Sequence, residues 1–460
     1  MPFTSPSIRR REGPPSSGGH ASRTLLFSVA VGIVVLGLFA SQALLPALSQ
    51  SMHLRPGTSG LMTTLTLLGY AGGLFFLVPL TDVAESRSLI LGMLTLDVLA
   101  LGALGALGTT SSVPLFLAAC FASGVSASAV QMLVPMAAAL SPQRQRGEVV
   151  GKLMSGLMLG ILLSRPMASL TAQALGWRWF YGGLAAAVGV LALVLWRSLP
   201  ALAPAGKLPY PRLIISMWAL LRQEPVVRRR AVSQALCMAA FSMFWTSIVL
   251  RLGQAPFHLG NTGVAVFALS GAGGVIVAPL AGRAGDRGWT RPATFLAQAV
   301  IVGALALAAF ADGTQAHHAR AMLLLLGVAS VLLDMGVIAE QALGRRAVNM
   351  LQPEARGRLN GLFTGIFFVG AAAGASLSGP AWVLGGWLGV CACGVVFGLI
   401  ALIVTAMPIG GGDAGPGDRH ASNPGWSLAP RQLLVGTTQR TDDNLASVER
   451  LCLRTSHSRH

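Results

Sequence analysis

Hydrophobic and polar positions along the chain fall into long blocks. After a polar opening, apolar residues run for about twenty positions at a time, and short polar stretches part the runs. The apolar blocks lie at approximately 24–45, 59–80, 88–108, 113–138, 149–172, 179–196, 231–250, 262–282, 292–311, 321–341, 359–379 and 381–406. A helix rising about 1.5 Å per residue needs about twenty residues to cross a hydrocarbon core of about 30 Å. Each block therefore predicts one membrane-crossing helix, here called spans 1 to 12. The fold class expected is all-α membrane, with the spans divided six and six. The organisation read from the blocks is a disordered segment over 1–23, a six-helix bundle over 24–196, a linker over 197–230, a second six-helix bundle over 231–406, and a disordered tail over 407–460 that starts in a Gly-rich stretch.

The loops give these spans an orientation. If the N-terminus lies in the cytoplasm and the spans alternate, the inner loops before span 12 hold 22 Lys and Arg residues, and the outer loops hold four: Arg55, Arg178, Arg251 and Arg320. Cytoplasmic loops collect positive charge, so both termini are expected in the cytoplasm. Span 1 is too long for an ordinary signal-peptide core, and its removal would break the parity of the loops.

Composition agrees. Only 11% of the residues are charged, against about a quarter in soluble proteins. The net charge of +17 does not point to nucleic acid, because the cations are spread over short loops rather than gathered on one exposed surface. Cys391 and Cys393 face different directions on one helix and have no His or carboxylate neighbours in sequence, so no metal site is expected. No nucleotide-binding or hydrolase motif stands out, so no cofactor is expected and transport energy would come from a gradient. The expected partners are a small-molecule substrate, protons and the lipid bilayer, with the chain a monomer.

The two sets of six spans look alike. Span 2 ends in Ala71-Gly-Gly-Leu-Phe-Phe-Leu-Val-Pro-Leu80, and span 8 ends in Ala272-Gly-Gly-Val-Ile-Val-Ala-Pro-Leu280. Arg146-Gly147, Gly151 and Gly160 of span 5 recur at the same spacing as Arg356-Gly357, Gly361 and Gly370 of span 11. Pairing 2 with 8 and 5 with 11 is what a parallel duplication of a six-helix unit gives.

Few ionisable residues lie within the blocks. They are Asp97 in span 3, Arg165 in span 5 and Asp334 in span 10, with Glu340 nearer the inner end of span 10. A charge at the bilayer centre costs roughly 3 kcal/mol, which makes such residues functional candidates. Arg165 either binds an anionic substrate group or pairs with a carboxylate, and Asp334 or Glu340 takes and releases a proton. The alternative is a static salt bridge or a snorkelling side chain. Asp97 either faces a neighbouring helix or sits neutral. Gln131 stands beside the kinking Pro135 and either donates to substrate or repairs the broken backbone. The aromatic, Met-containing stretch Phe241–Trp245 of span 7 lines a greasy cavity or packs against lipid and helices.

The inner loops carry the most specific motif. After span 8 stands Pro279-Leu-Ala-Gly-Arg283-Ala-Gly-Asp286-Arg287-Gly288, and after span 2 stands Pro79-Leu-Thr-Asp82-Val-Ala-Glu85-Ser-Arg87. These resemble the Gly-x-Leu-Ala-Asp-Arg-x-Gly-Arg-Arg signature of the major facilitator superfamily. The first copy has Val78-Pro79 in place of the opening Gly, and the second is stretched. Trp177-Arg178-Trp179-Phe180 is a further similarity. The resemblance covers roughly 24–406 and is nearest to the drug-efflux and sugar-efflux, arabinose-efflux-permease-like branches. It implies a bacterial inner-membrane secondary transporter whose two bundles rock about a central site. It also implies that Asp82 caps the start of span 11 at Arg356-Gly357 as a gate, and by symmetry that Asp286 faces span 5 at Arg146-Gly147. The expected function is proton-coupled export of a small amphipathic compound. The alternatives are uptake of an organic anion or sugar, or a non-transporting membrane sensor.

Overall fold

The computed structural model describes residues 17–407 apart from 55, 59, 108–111, 202–208, 313–317 and 352–355. Most of the expected disordered segments, 1–16 and 408–460, therefore lie outside the described residues. The helix of span 1 already begins at Ser17, seven residues earlier than the apolar block.

The described residues form helices throughout. Span 1 is Ser17–Ser51, span 2 Leu61–Asp82, span 3 Ser86–Leu107, span 4 Val113–Ala139, span 5 Arg146–Ala174 and span 6 Trp177–Ser198. The connection expected over 197–230 contains a helix of its own, Tyr210–Gln223, and span 7 starts at Pro225 and ends at Gly253. Span 8 is Asn261–Asp286, span 9 Thr290–Phe310 and span 10 Ala319–Asn349. Spans 11 and 12 together occupy Arg356–Ala406.

Those last two spans meet at a turn that hydropathy misplaces. The chain reverses at Gly385 and Gly386 rather than near Pro380, and Gly386 has φ +57° and ψ −145°. Only glycine adopts that region at little cost. The reversal brings Trp387 back to donate its Nε1–H to the Ala308 carbonyl of span 9 at 2.8 Å. Gly385 is thus part of the turn and makes no close helix contact. Gly386→Ala is expected to cost about 1–3 kcal/mol, read as a lower Tm of the purified protein. An unchanged Tm would refute the turn.

Helix contacts repeat between the two halves. In span 5, a Cβ at Gly160 would lie 2.4 Å from the Gly32 carbonyl of span 1, and Ser164 donates to the Leu36 carbonyl at 2.5 Å. In span 11, the positions 210 residues on are Gly370 and Gly374. Cβ atoms there would lie 2.1 and 2.0 Å from the carbonyls of Ala235 and Ala239 in span 7. Without a hydrophobic force between helices in lipid, such backbone-to-backbone approach is a main source of association. The fold is therefore twelve membrane helices in two pseudo-symmetric six-helix bundles. Large apolar side chains such as Phe310, Leu324, Ile276 and Leu384 point outward, as a lipid-facing surface requires.

The bundles touch at one end, and at the other a cavity separates span 5 from spans 8 and 10 while spans 2 and 11 stay in contact through Phe75 and Gly365. At the end opposite the basic loops, a Cβ at Gly60, the residue before span 2, would lie 2.2 Å from the Ala375 carbonyl of span 11. Nearby, Thr262 of span 8 donates to Gln173 of span 5 at 2.5 Å. At the basic end, a cavity of about 530 Å³ lies between Met154 and Met158 of span 5 and Ala278, Gln341, Arg345 and Asn349 of spans 8 and 10. The central space opens toward the basic loops.

Candidate functional site

The site begins with a cation inside the N-terminal bundle. Arg165, buried in the middle of span 5, gives two hydrogen bonds to Gln42 Oε1 of span 1, from Nε at 3.0 Å and Nη2 at 2.9 Å. The guanidinium lies 4.2 Å from the ring centroid of Trp245 in span 7, with Phe39 and Phe241 further off at 5.4 and 5.7 Å. A desolvated cation over an indole face contributes about 2 kcal/mol. Trp245 in turn donates its Nε1–H to Asp334 Oδ1 of span 10 at 2.9 Å. Arg165 and Asp334 are thus joined through an indole, whose face meets the cation and whose edge meets the anion. Trp245 is what links the two charges. Position 245 also stands 203 residues after Gln42, the same interval as from Gly32 to Ala235. Equivalent sites on spans 1 and 7 therefore both hold Arg165.

Below this chain toward the basic end lies the central chamber, about 100 Å³, lined by Phe39, Tyr70, Gln131, Met158, Phe241, Gln341, Arg345, Thr364 and Phe368 among others. It shares Gln131, Arg345 and Thr364 with a cleft of about 350 Å³ that runs to Asp82, Gly357 and Arg358. Small-molecule sites span roughly 300–1,000 Å³, so the cleft is large enough. Gln131 donates to the Tyr70 hydroxyl at 3.2 Å, and its side chain borders the cavity rather than mending the Pro135 backbone.

Arg345 was not singled out by sequence. It lies beyond the apolar block ending at 341 and reads as a loop cation, yet the span 10 helix continues to Asn349 and carries Arg345 into the cavity wall. Tyr70 was also missed. A phenol in the middle of an apolar block was the available signal.

Glu340 is brought to a different place. It is fully buried inside the C-terminal bundle and accepts from Ser233 Oγ at 3.1 Å. Gln298 Nε2 donates to Ser233 Oγ and Thr405 Oγ1 at 2.6 and 2.9 Å, and Arg230 donates to Thr294 at 2.8 Å. This cluster does not line the central chamber. Asp97 likewise faces its neighbour, accepting from Ser126 at 2.7 Å and Ser123 at 3.4 Å.

The expected gates are arranged unequally. Asp82 and Gly357 line the same cleft as Arg358, whose charge acts on Asp82, and Arg356 opens the helix there. Asp286 does not meet Arg146-Gly147, contrary to the symmetric expectation. It pairs with Arg346 Nη2 of its own bundle at 2.9 Å, while the exposed Arg146 turns back to the Ser141 carbonyl at 3.4 Å. The reason is the cleft itself, since spans 5 and 8 are apart at the basic end and Asp286 takes the nearest cation.

Known proteins match both this sequence and this fold. The sequence profile described as Major Facilitator Superfamily matches residues 27–343. The putative uncharacterized transporter YgaY of Escherichia coli (strain K12) is 34% identical over 380 residues, covering 83% of this chain and 94% of that protein. The chloramphenicol resistance protein of Streptomyces lividans is 30% identical over 411 residues, covering 83% and 98%. Among solved structures, a bacterial homolog of the human lysosomal transporter Spinster, inward-facing and unoccupied, superposes with a TM-score of 0.66 at 12% identity, covering 85% of this chain and 97% of that one. The chain is a multi-pass membrane transporter and belongs to the major facilitator superfamily.

Proposed function

We propose that this transporter exports a small amphipathic molecule across the bacterial inner membrane by alternating access, in exchange for protons. The observation that carries this reading is the chain Arg165–Trp245–Asp334, which ties the N-terminal bundle to the C-terminal bundle at the closed end of the central space. Asp334 is the proton carrier in this reading. Ionised, it receives a charge-assisted hydrogen bond from Trp245, roughly twice as strong as a neutral one. Protonated, it holds the indole less firmly, and the seam between the bundles loosens. Proton uptake at one carboxylate thereby biases a two-state element, which is what coupling requires. Glu340, enclosed in its own cluster, is the second candidate for a proton.

The basic end is the cytoplasmic end, as the loop charges argue, so the cavity is caught open to the cytoplasm. The direction of export draws support from the chloramphenicol resistance protein that this chain resembles over most of its length.

The test uses everted membrane vesicles of an efflux-deficient host, energised so that the lumen is acid and followed with a pH-sensitive dye. Chloramphenicol is the first compound added, followed by a panel of amphipathic drugs. Expected is release of luminal protons on addition of a transported compound, absent from vesicles without the protein. Compound flux that ignores the imposed pH gradient would sink the antiport reading.

A further inference from the structure

Arg345 is the charged side chain of the central chamber, and no acidic residue lines that chamber. It borders all three connected cavities. Among the described residues, no hydrogen bond or ion pair reaches it, and its Nε is enclosed without a partner. Other enclosed or half-enclosed arginines are held differently. Arg165 has Gln42 and Trp245, Arg251 has Asp312 at 3.0 Å, and Arg346 has Asp286. A guanidinium presents five donors in a planar fork that matches a carboxylate, and leaving it enclosed and unpaired is costly.

We propose that the cavity binds amphipathic organic anions, with Arg345 taking the carboxylate of a free monocarboxylate solute. This deepens the export reading above and rests on the same cavity being the transport site. The neutral polar groups that line the chamber with Arg345 are Tyr70, Gln131, Gln341 and Thr364, which orient an anion without competing for it. The tail lies against Phe39, Phe241, Phe367, Phe368, Met158 and Met238. The chamber of about 100 Å³ is smaller than the roughly 150 Å³ that accommodates a single benzene ring, so a short alkyl chain fits inside it and a ring or larger tail extends into the cleft of about 350 Å³. Arg165 is not the anion site, because its fork is closed by Gln42 and its face by Trp245.

The test measures binding without turnover, so it stands apart from the proton-exchange assay. The full chain in zwitterionic nanodiscs is titrated with three matched pairs: octanoate and octanamide, phenylacetate and phenylacetamide, 1-naphthaleneacetate and its amide. Expected is that at least one acid binds about tenfold more tightly than its amide, a factor worth about 1.4 kcal/mol. In Arg345→Gln that preference falls to about onefold while the amide affinity is kept, and Arg345→Lys retains part of the preference. Amides binding as well as acids, a preference that survives in Arg345→Gln, or no binding of any probe overturns the proposal. If Arg345→Gln does not fold, the Arg345→Lys titration decides in its place, since a preference undiminished in that variant also overturns it. A preference abolished by anionic nanodisc lipid gives the site to lipid headgroups and overturns the solute reading. Failure of proton exchange with the acid preference intact would remove the coupling but leave the anion site.

Discussion

Asp334→Asn is expected to abolish uphill, proton-driven transport while leaving substrate binding and downhill exchange in place. The amide keeps the shape of the carboxyl, and its oxygen still accepts the Trp245 Nε1–H that Asp334 accepts at 2.9 Å. It cannot take a proton in the working pH range. A positioned proton-transfer group contributes about 10²–10⁴-fold, so proton-driven flux should fall at least about 100-fold. Exchange of labelled for unlabelled substrate across liposomes without a gradient should stay within about threefold, on the same reasoning that the transfer step alone is lost. Proton-driven accumulation at wild-type rate in this variant would remove Asp334 from the coupling path. Comparable loss in both assays would make it a structural residue that Arg165 and Trp245 need for packing.

Gly370→Val is expected to damage folding severely. Its Cβ would stand 2.1 Å from the Ala235 carbonyl, which is backbone and cannot rotate away. Spans 7 and 11 would have to separate, and overpacking of this kind costs about 1–3 kcal/mol or more. Stability of roughly 5–15 kcal/mol would lose a large share. Yield of monodisperse protein and its Tm are the measurements. Gly303→Val, where a Cβ meets nothing within 4 Å, serves as the control and should behave like wild type. Equal behaviour of the two variants would mean that the close approach of spans 7 and 11 contributes little.

Much of this architecture is legible from hydropathy because lipid imposes one length and one polarity on every crossing segment. The duplication is legible where glycines carry it, at Gly160 and Gly370, since only small residues fit between touching backbones. Two kinds of feature escape. The turn at Gly385-Gly386 sits inside an unbroken apolar stretch, where Pro380 is the more conspicuous breaker, and apolar residues fill turn and helix alike. Arg345 escapes for the opposite reason. Span 10 continues about two turns past its apolar block, and a cation on a helix facing a cavity has the same hydropathy as one in a loop. The partners Arg165 and Asp334 stand out as buried charges, but their linkage depends on the indole edge and face of Trp245, a matter of orientation that spacing along one helix does not carry. Asp286 shows the same limit, since its partner depends on which end of the molecule is open.

Trp245 is also an optical instrument set into the machinery. Its indole is almost fully enclosed, with a guanidinium over one face and a carboxylate on its N–H. Both neighbours act on the excited-state dipole, so emission from this ring reports the electrostatic state of the seam. Of the nine tryptophans in the chain, Trp179, Trp196, Trp218 and Trp289 are more than half exposed and give a constant lipid- or solvent-facing background. A difference spectrum between wild type and Trp245→Phe therefore isolates one fluorophore at the joint between the bundles. Each turn of the cycle then becomes visible as light, with no label attached.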